Sequence, residues 1–160
     1  MKHAKETAPL TQLITDEIRN WIGRATEPVQ VEVSRRDIVK YSLATEQRLE
    51  KYLRGDEAPP MFLFGADRPL TQIADLGPDG LMRDPLLPEL PLKRVMAGGI
   101  KQRYFRAVMP GDVLSISRRI SNIYEKQGSS GPLIFVDYEL NVRATDGELV
   151  MQETQSRINR

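Results

Sequence analysis

The chain has 160 residues, enough for one domain burying about two-thirds of its unfolded surface, and 23 Lys+Arg against 22 Asp+Glu leave a net charge of +1. This balance gives no general attraction for nucleic acid or anionic membranes, and the absence of cysteine excludes disulfides, a thiolate nucleophile and cysteine metal sites. No apolar run approaches the roughly 20 residues of a membrane span and residues 1–9 lack the apolar stretch of a signal peptide, so the expectation is a soluble cytoplasmic protein with no membrane or nucleic-acid partner.

Residues 1–8 are polar. Leu10, Leu13, Ile14, Ile18, Trp21 and Ile22 then recur at helical spacing, with Glu17 as the polar interruption, predicting an amphipathic helix that ends near Gly23. Residues 1–21 are accordingly read as tail and helix, and residues 22–160 as a single domain. Within it, Val29, Val31 and Val33 alternate with Gln30 and Glu32 as a first strand. Ser34 is placed to cap a helix over Arg35–Ala44, with Asp37 in its first turn where the helix dipole favours an acid. A second helical stretch is predicted from Thr45 to Leu53, ending at Gly55.

Most of the chain's prolines fall between Asp56 and Pro91. Its one compact apolar piece, Pro59-Pro60-Met61-Phe62-Leu63-Phe64-Gly65, reads either as a short buried helix starting near Pro60 or as a loop lining an apolar cavity. Arg68 to Pro91 reads as a long excursion, either an ordered lid or binding loop or a disordered segment.

From Met96 onward the pattern becomes β. Ile134, Val136, Tyr138, Leu140 and Val142 alternate with Asp137, Glu139, Asn141 and Arg143, and only Leu133 and Phe135 spoil the polar face. Gly128-Ser-Ser-Gly131 closes one hairpin with the strand from Val113 to Lys126. Asp146-Gly147, able to adopt the positive φ values of a type I′ turn, closes another and returns Glu148–Ile158 alongside. Strands this long, against a usual length of about 5–6 residues, imply a curved sheet that wraps something.

Three segments together resemble the MaoC-like hot-dog family, which includes R-specific enoyl-CoA hydratases and the dehydratase domains of fungal-type fatty acid synthases. They are Ile22-Gly23 with Glu27-Pro28, Val31-Glu-Val-Ser34 and Asp37–Ala44; then Ala58-Pro59-Pro60-Met61-Phe62; then Ala97-Gly98-Gly99 with Pro110-Gly111-Asp112, Glu125–Gly131 and the last two strands. The resemblance is to the N-terminal half of double-hot-dog members. It implies an α+β hot-dog fold, with a long curved antiparallel sheet around a central helix lying between Asp37 and Gly65, to which the periodicity adds an extra N-terminal helix. It also implies that paired domains form one continuous sheet with an acyl-CoA tunnel between them.

Hydration of an enoyl thioester requires an acid and a base. Active members of the family carry an Asp and a His in a Gly-Asp-x-Asn-Pro-x-His pattern after the first helix. Here that stretch is Thr45-Glu46-Gln47-Arg48-Leu49-Glu50 followed by Gly55-Asp56-Glu57, and the chain's single histidine is His3. Glu46, Asp56 and Glu57 are the catalytic candidates, the last two because an apolar neighbour can raise a carboxyl pKa, although solvated surface acids explain all three.

Pro60, Met61, Phe62 and Phe64 are candidates to line an acyl tunnel, or simply core. Arg103, Arg106, Arg118, Arg119 and Lys126 suit the phosphates of CoA, with Gly98, Gly99, Arg103 and Lys126 taken as the substrate-binding set. Edge-strand charges and, for the glycines, a bulge or close backbone approach are the plainer explanations. No metal and no cofactor are expected, with acyl-CoA as the substrate. The reading is of a subunit of an enoyl-CoA hydratase or 3-hydroxyacyl-CoA dehydratase that lacks its own Asp/His pair and joins a catalytic hot-dog partner or forms a homodimer. The alternatives are a self-sufficient hydratase or thioesterase using a carboxylate, and an acyl-CoA-binding module without chemistry.

Overall fold

The computed structural model describes residues 12–78 and 80–160, so Leu10 and His3 lie outside the described residues. Its elements are α1 (Asp16–Arg19), β1 (Val29–Glu32), α2 (Arg35–Ala44), α3 (Glu50–Leu53), β2 (Val95–Tyr104), β3 (Val113–Gly128), β4 (Gly131–Ala144) and β5 (Leu149–Asn159). A 3-10 turn covers Ile73–Asp75. Every strand pairing is antiparallel, and the sheet runs in the order β1-β3-β4-β5-β2.

The β4 alternation decides which face is the core. Ile134, Val136 and Val142 are fully buried and Tyr138 and Leu140 nearly so, joined from β3 by Leu114, Ile116, Ile120 and Ile123 and from β5 by Val150 and Met151. Ile38 of α2, the turns around Leu63, and Leu86 and Leu90 of the excursion cover this face. The N-terminal helix is present as one turn. Thr15 caps it by accepting from Ile18 N–H, which places Ile14 before the helix, where its N–H donates to Glu125 Oε1 at 2.6 Å.

The Ser34 cap forms as predicted, Ser34 Oγ accepting from Asp37 N–H at 3.0 Å, and the helix behind it spans the predicted residues. The second helix is shorter than predicted. Glu46 adopts φ 53, a left-handed conformation that ends the helix for a non-glycine residue, and α3 supplies one further turn at Glu50–Leu53 after an extended Leu49.

Two further local expectations change. Between Pro59 and Arg68 the chain forms neither helix nor open loop but successive four-residue turns, with Phe62 N–H donating to Pro59 O, Phe64 to Met61 O, Ala66 to Leu63 O and Arg68 to Gly65 O. Left-handed Met61 (φ 67) and Gly65 (φ 77) prevent these turns from fusing into a helix. At the β4–β5 hairpin, Gly147 alone has positive φ and its N–H donates to Ala144 O. This is a three-residue loop with a glycine bulge rather than the two-residue type I′ turn, which also needs positive φ at Asp146.

A fourth long strand, β2, precedes the meander. Its Gly98 is the extra residue of a bulge between Ala97 and Gly99, packed so closely that a Cβ there would lie 2.9 Å from Ser156 Cβ. The excursion is ordered over its described residues. Leu86 and Leu90 are buried, Tyr138 hydroxyl donates to Leu86 O at 3.2 Å, and Asn159 Nδ2 donates to Leu92 O at 2.9 Å. Among the described residues no helix is long and apolar enough to cross a membrane.

Candidate functional site

The three carboxylates nominated from sequence do not gather. Glu46 is exposed on the turn after α2. Asp56 pairs with Arg35 Nη1 at 2.6 Å and Arg54 Nε at 3.1 Å, and the Arg35 hydrogen bond, aided by Arg54, holds its carboxyl below the usual range rather than above it. Glu57 pairs with Lys51 at 2.8 Å, and that hydrogen bond in turn raises the Lys51 ammonium above its ordinary value. Asp56 fastens the end of α3 to α2, and Glu57 holds the chain leaving α3 against Lys51. The raised pKa sought for Asp56 is therefore corrected to a lowered one.

The basic residues are dispersed as well. Arg106 holds Asp112 bidentately at 2.8 and 3.1 Å and reaches Glu148 at 3.2 Å, while Arg119 pairs with Glu139. Arg118 turns inward, its side chain only 9% exposed, to meet Asp84 at 2.5 Å and Asp67 at 3.6 Å over the Tyr138 ring. There it anchors the excursion to the sheet, and burial beside Asp84 pushes the Tyr138 phenol up to about 12. Arg103 lies over the Phe105 ring, and Lys126 over Tyr124 and Phe135.

Arg103 and Lys126 are also far apart. The register sets Arg103 opposite Gln152 and hence Asn141, and Lys126 opposite Leu133, about 27 Å along β4 at ~3.4 Å per residue. Gly98 and Gly99 form the β2 bulge between those positions. No single phosphate site unites the four.

The residues that do come together surround the Pro59–Phe62 turn. Pro60 is exposed, Met61 and Phe62 are half-buried, and Phe64 is exposed with Arg68 over its ring. Phe62 packs edge-on against Tyr41 of α2 at 5.6 Å. Met61 N–H donates to Tyr104 Oη at 3.3 Å, Tyr104 donates to Gln102 Oε1 at 2.8 Å, and Gln102 Nε2 donates to Glu153 Oε2 at 2.5 Å. Gln155 Nε2 donates to Glu153 Oε1.

Glu153 is 1% exposed and, among the described residues, has no cation within ion-pair distance; two carboxamides take the place of water. Burial raises the Tyr104 phenol above the usual tyrosine range; the Met61 N–H opposes this and the Glu153 charge adds to it, so Tyr104 is a protonated hydroxyl at neutral pH.

Sequence reasoning passed over Gln102, Tyr104, Glu153 and Gln155. The available signal was parity: once Met151 is inward, Glu153 and Gln155 follow on the same face. Two open depressions lie elsewhere, of about 310 and 620 Å³. The larger is lined in part by Leu13, Ile18, Trp21, Leu90 and Lys93, and neither includes Pro60, Met61, Phe62 or Phe64. The described residues contain no cluster of three or more His, Cys, Asp or Glu able to hold a metal ion.

Among solved structures, the fold is similar to the ChsH1-ChsH2 complex from Mycobacterium tuberculosis, at TM-score 0.65 and 19% identity over 89% of this chain and 86% of that one. It is also similar to the C-terminally truncated HadBC (3R-hydroxyacyl-ACP dehydratase) complex from Mycobacterium tuberculosis, at TM-score 0.58 and 14% identity over 86% and 96%. A MaoC-like dehydratase from Rhodospirillum rubrum matches at TM-score 0.54 and 15% identity over 86% and 91%. These likenesses define a hot-dog fold. No curated protein sequence matches this one. The profile of the FAS1-like dehydratase domain region matches residues 20–153, and the chain belongs to that family of MaoC-like hot-dog dehydratases.

Proposed function

We propose that this chain is the non-catalytic hot-dog subunit of a cytoplasmic enoyl-CoA hydratase or 3-hydroxyacyl-CoA dehydratase. It shapes an acyl-CoA pocket while a second hot-dog chain provides the acid and base. The observation that carries this reading is that none of the four acids in the stretch matching the family's catalytic segment is placed for the chemistry: Glu46 faces solvent, Glu50 is an exposed partner of Arg54, and Asp56 and Glu57 are held in ion pairs. An acid–base pair must reach the reacting carbons, whereas Asp56 is engaged with Arg35 and Arg54, and Glu57 with Lys51.

The partner's place is the free edge of β2. Among the described residues β2 pairs only with β5, and its other edge is unpaired over ten residues, with Val95, Met96, Ile100 and Tyr104 exposed along it. Unprotected edges of this length invite strand pairing. The ChsH1-ChsH2 and HadBC structures are complexes of two chains, which supports a heteromer.

The test is native mass spectrometry of this chain mixed with the hot-dog protein encoded nearest its gene. A heteromer is expected, lost in Ile100→Lys while that variant still unfolds cooperatively. A mixture that stays unassociated would refute the reading.

A further inference from the structure

The strand that bears the free edge carries charge of one sign. From Lys93 to Gly111 the sequence holds Lys93, Arg94, Lys101, Arg103 and Arg106 and no acid. Lys93 and Arg106 find carboxylates within the chain, Glu89 at 2.9 Å and Asp112 at 2.8 Å. Arg94, Lys101 and Arg103 are exposed and, among the described residues, no carboxylate lies within ion-pair distance of them.

The register shows why. Lys101 lies opposite Thr154 of β5 and Arg103 opposite Gln152, and Arg94 extends the ladder against Arg160, their backbones exchanging hydrogen bonds of 3.0 and 2.8 Å. One strand further in, Glu139 of β4 faces Thr154, but Arg119 of β3 already holds it at 3.1 Å. Charge is balanced between β3 and β4 and left unbalanced on β2.

Cations on a sheet edge discourage stray pairing, and edges that only repel are kept short. β2 instead runs for ten residues and leaves Val95, Met96 and Ile100 exposed beside its cations. The apolar side chains reward a strand that pairs there, and the cations decide which strand that is. A copy of this chain fits poorly. When two β2 strands pair antiparallel about a two-fold axis, Arg94, Lys101 and Arg103 meet only cations or neutral residues of the other β2, and like charges set opposite one another destabilise a strand pair. A strand bearing Asp or Glu on the same face turns the same three side chains into attractions.

We propose that the β2 edge selects its partner by charge: Arg94, Lys101 and Arg103 pair with carboxylates on the edge strand of a different hot-dog chain, and the same three residues refuse a second copy of this one. This rests on the reading of β2 as the partner's place and adds to it the kind of strand that β2 takes, one with at least two acids on the face shared with Lys101 and Arg103.

Isothermal titration of this chain with the hot-dog protein encoded nearest its gene tests it, run at about 50 mM and about 500 mM NaCl. Association should weaken about tenfold or more across that range, because exposed charge pairs are screened. Lys101→Glu combined with Arg103→Glu, both at exposed positions, should still unfold cooperatively and bind the partner more than about tenfold more weakly, since two attractions become two repulsions. A measurement that needs no variant is carbodiimide coupling of the wild-type pair, which joins an ammonium to a carboxylate in contact and should link Lys101 to an Asp or Glu of the partner. The wild-type chain alone should be monomeric by native mass spectrometry. Partner binding that neither salt nor the double variant changes by more than about twofold overturns the proposal and leaves the β2-edge heteromer standing. A dimer of the wild-type chain that Ile100→Lys abolishes also overturns it, because β2 then accepts its own copy. No association with the partner at either salt concentration overturns both readings.

Discussion

Replacing Arg118 with methionine, which keeps most of the side chain's apolar stem and removes its charge, should destabilise the fold by about 3–5 kcal/mol, the cost of breaking a buried ion pair from one side. The size follows from burial: the Arg118, Asp67 and Asp84 side chains are 9%, 7% and 17% exposed, so little solvent is available to the two carboxylates once the cation is gone. Arg118 also lies over the Tyr138 ring at 4.8 Å, and the same substitution removes that attraction between cation and ring. With urea slopes of about 1–3 kcal/mol/M for proteins of this size, the midpoint should fall by more than about 1 M. The excursion should then detach first, seen as faster proteolysis between residues 68 and 83. A triple variant that also carries Asp67→Asn and Asp84→Asn should recover much of the loss, because no charge is left buried alone. A loss below about 1 kcal/mol for Arg118→Met, or a triple variant no more stable than the single, would refute the assignment of Arg118 as the internal anchor.

Other outcomes follow from the same coordinates. Gly98→Ala should cost about 1–3 kcal/mol in a urea titration, since its Cβ would meet the Ser156 backbone oxygen at 3.0 Å, and the shift should localise to β2 and β5 in hydrogen exchange. Asp112 is partly desolvated, which raises its pKa, but the Arg106 hydrogen bonds and the Met109 N–H outweigh this and leave it lowered. Because the folded value lies below the unfolded value near 3.9, its contribution is present above about pH 4 and disappears as pH falls through the folded pKa. The stability difference between wild type and Asp112→Asn should therefore shrink on acidification from pH 7 to pH 3. Amide replacements at Glu46, Asp56 and Glu57 should leave the turnover of the assembled pair essentially unchanged; a loss of orders of magnitude at any of them would identify a catalytic acid in this chain.

The parts of the fold legible in the sequence are those governed by short-range rules. The clean alternation from Ile134 to Val142 set the core face, and Ser34 with Asp37 set the start of α2. The Gly98-Gly99 pair gave the bulge but not the length of β2, whose residues before and after it lack a clear period.

The candidate site was harder because bulges reset side-chain parity. One between Ile120 and Asn122 moves the inward set of β3 from Leu114, Ile116, Arg118 and Ile120 to Ile123. Adjacent Arg118 and Arg119 look alike in sequence, yet one is buried and the other lies on the surface. The register shift at Val142 and Arg143 buries both Val150 and Met151, which hides the inward phase that carries Glu153. Turns held by Met61 and Glu46 in left-handed conformations carry no local sequence signal, since neither residue favours that region.

The division of labour between this chain and a catalytic partner is tested head-on by a spectrophotometric enoyl-CoA hydration assay on the purified chain, alone and mixed with the hot-dog protein encoded nearest its gene. No turnover is expected from this chain alone, and turnover, or a changed acyl preference, is expected in the mixture. Full activity from this chain by itself would contradict the non-catalytic role.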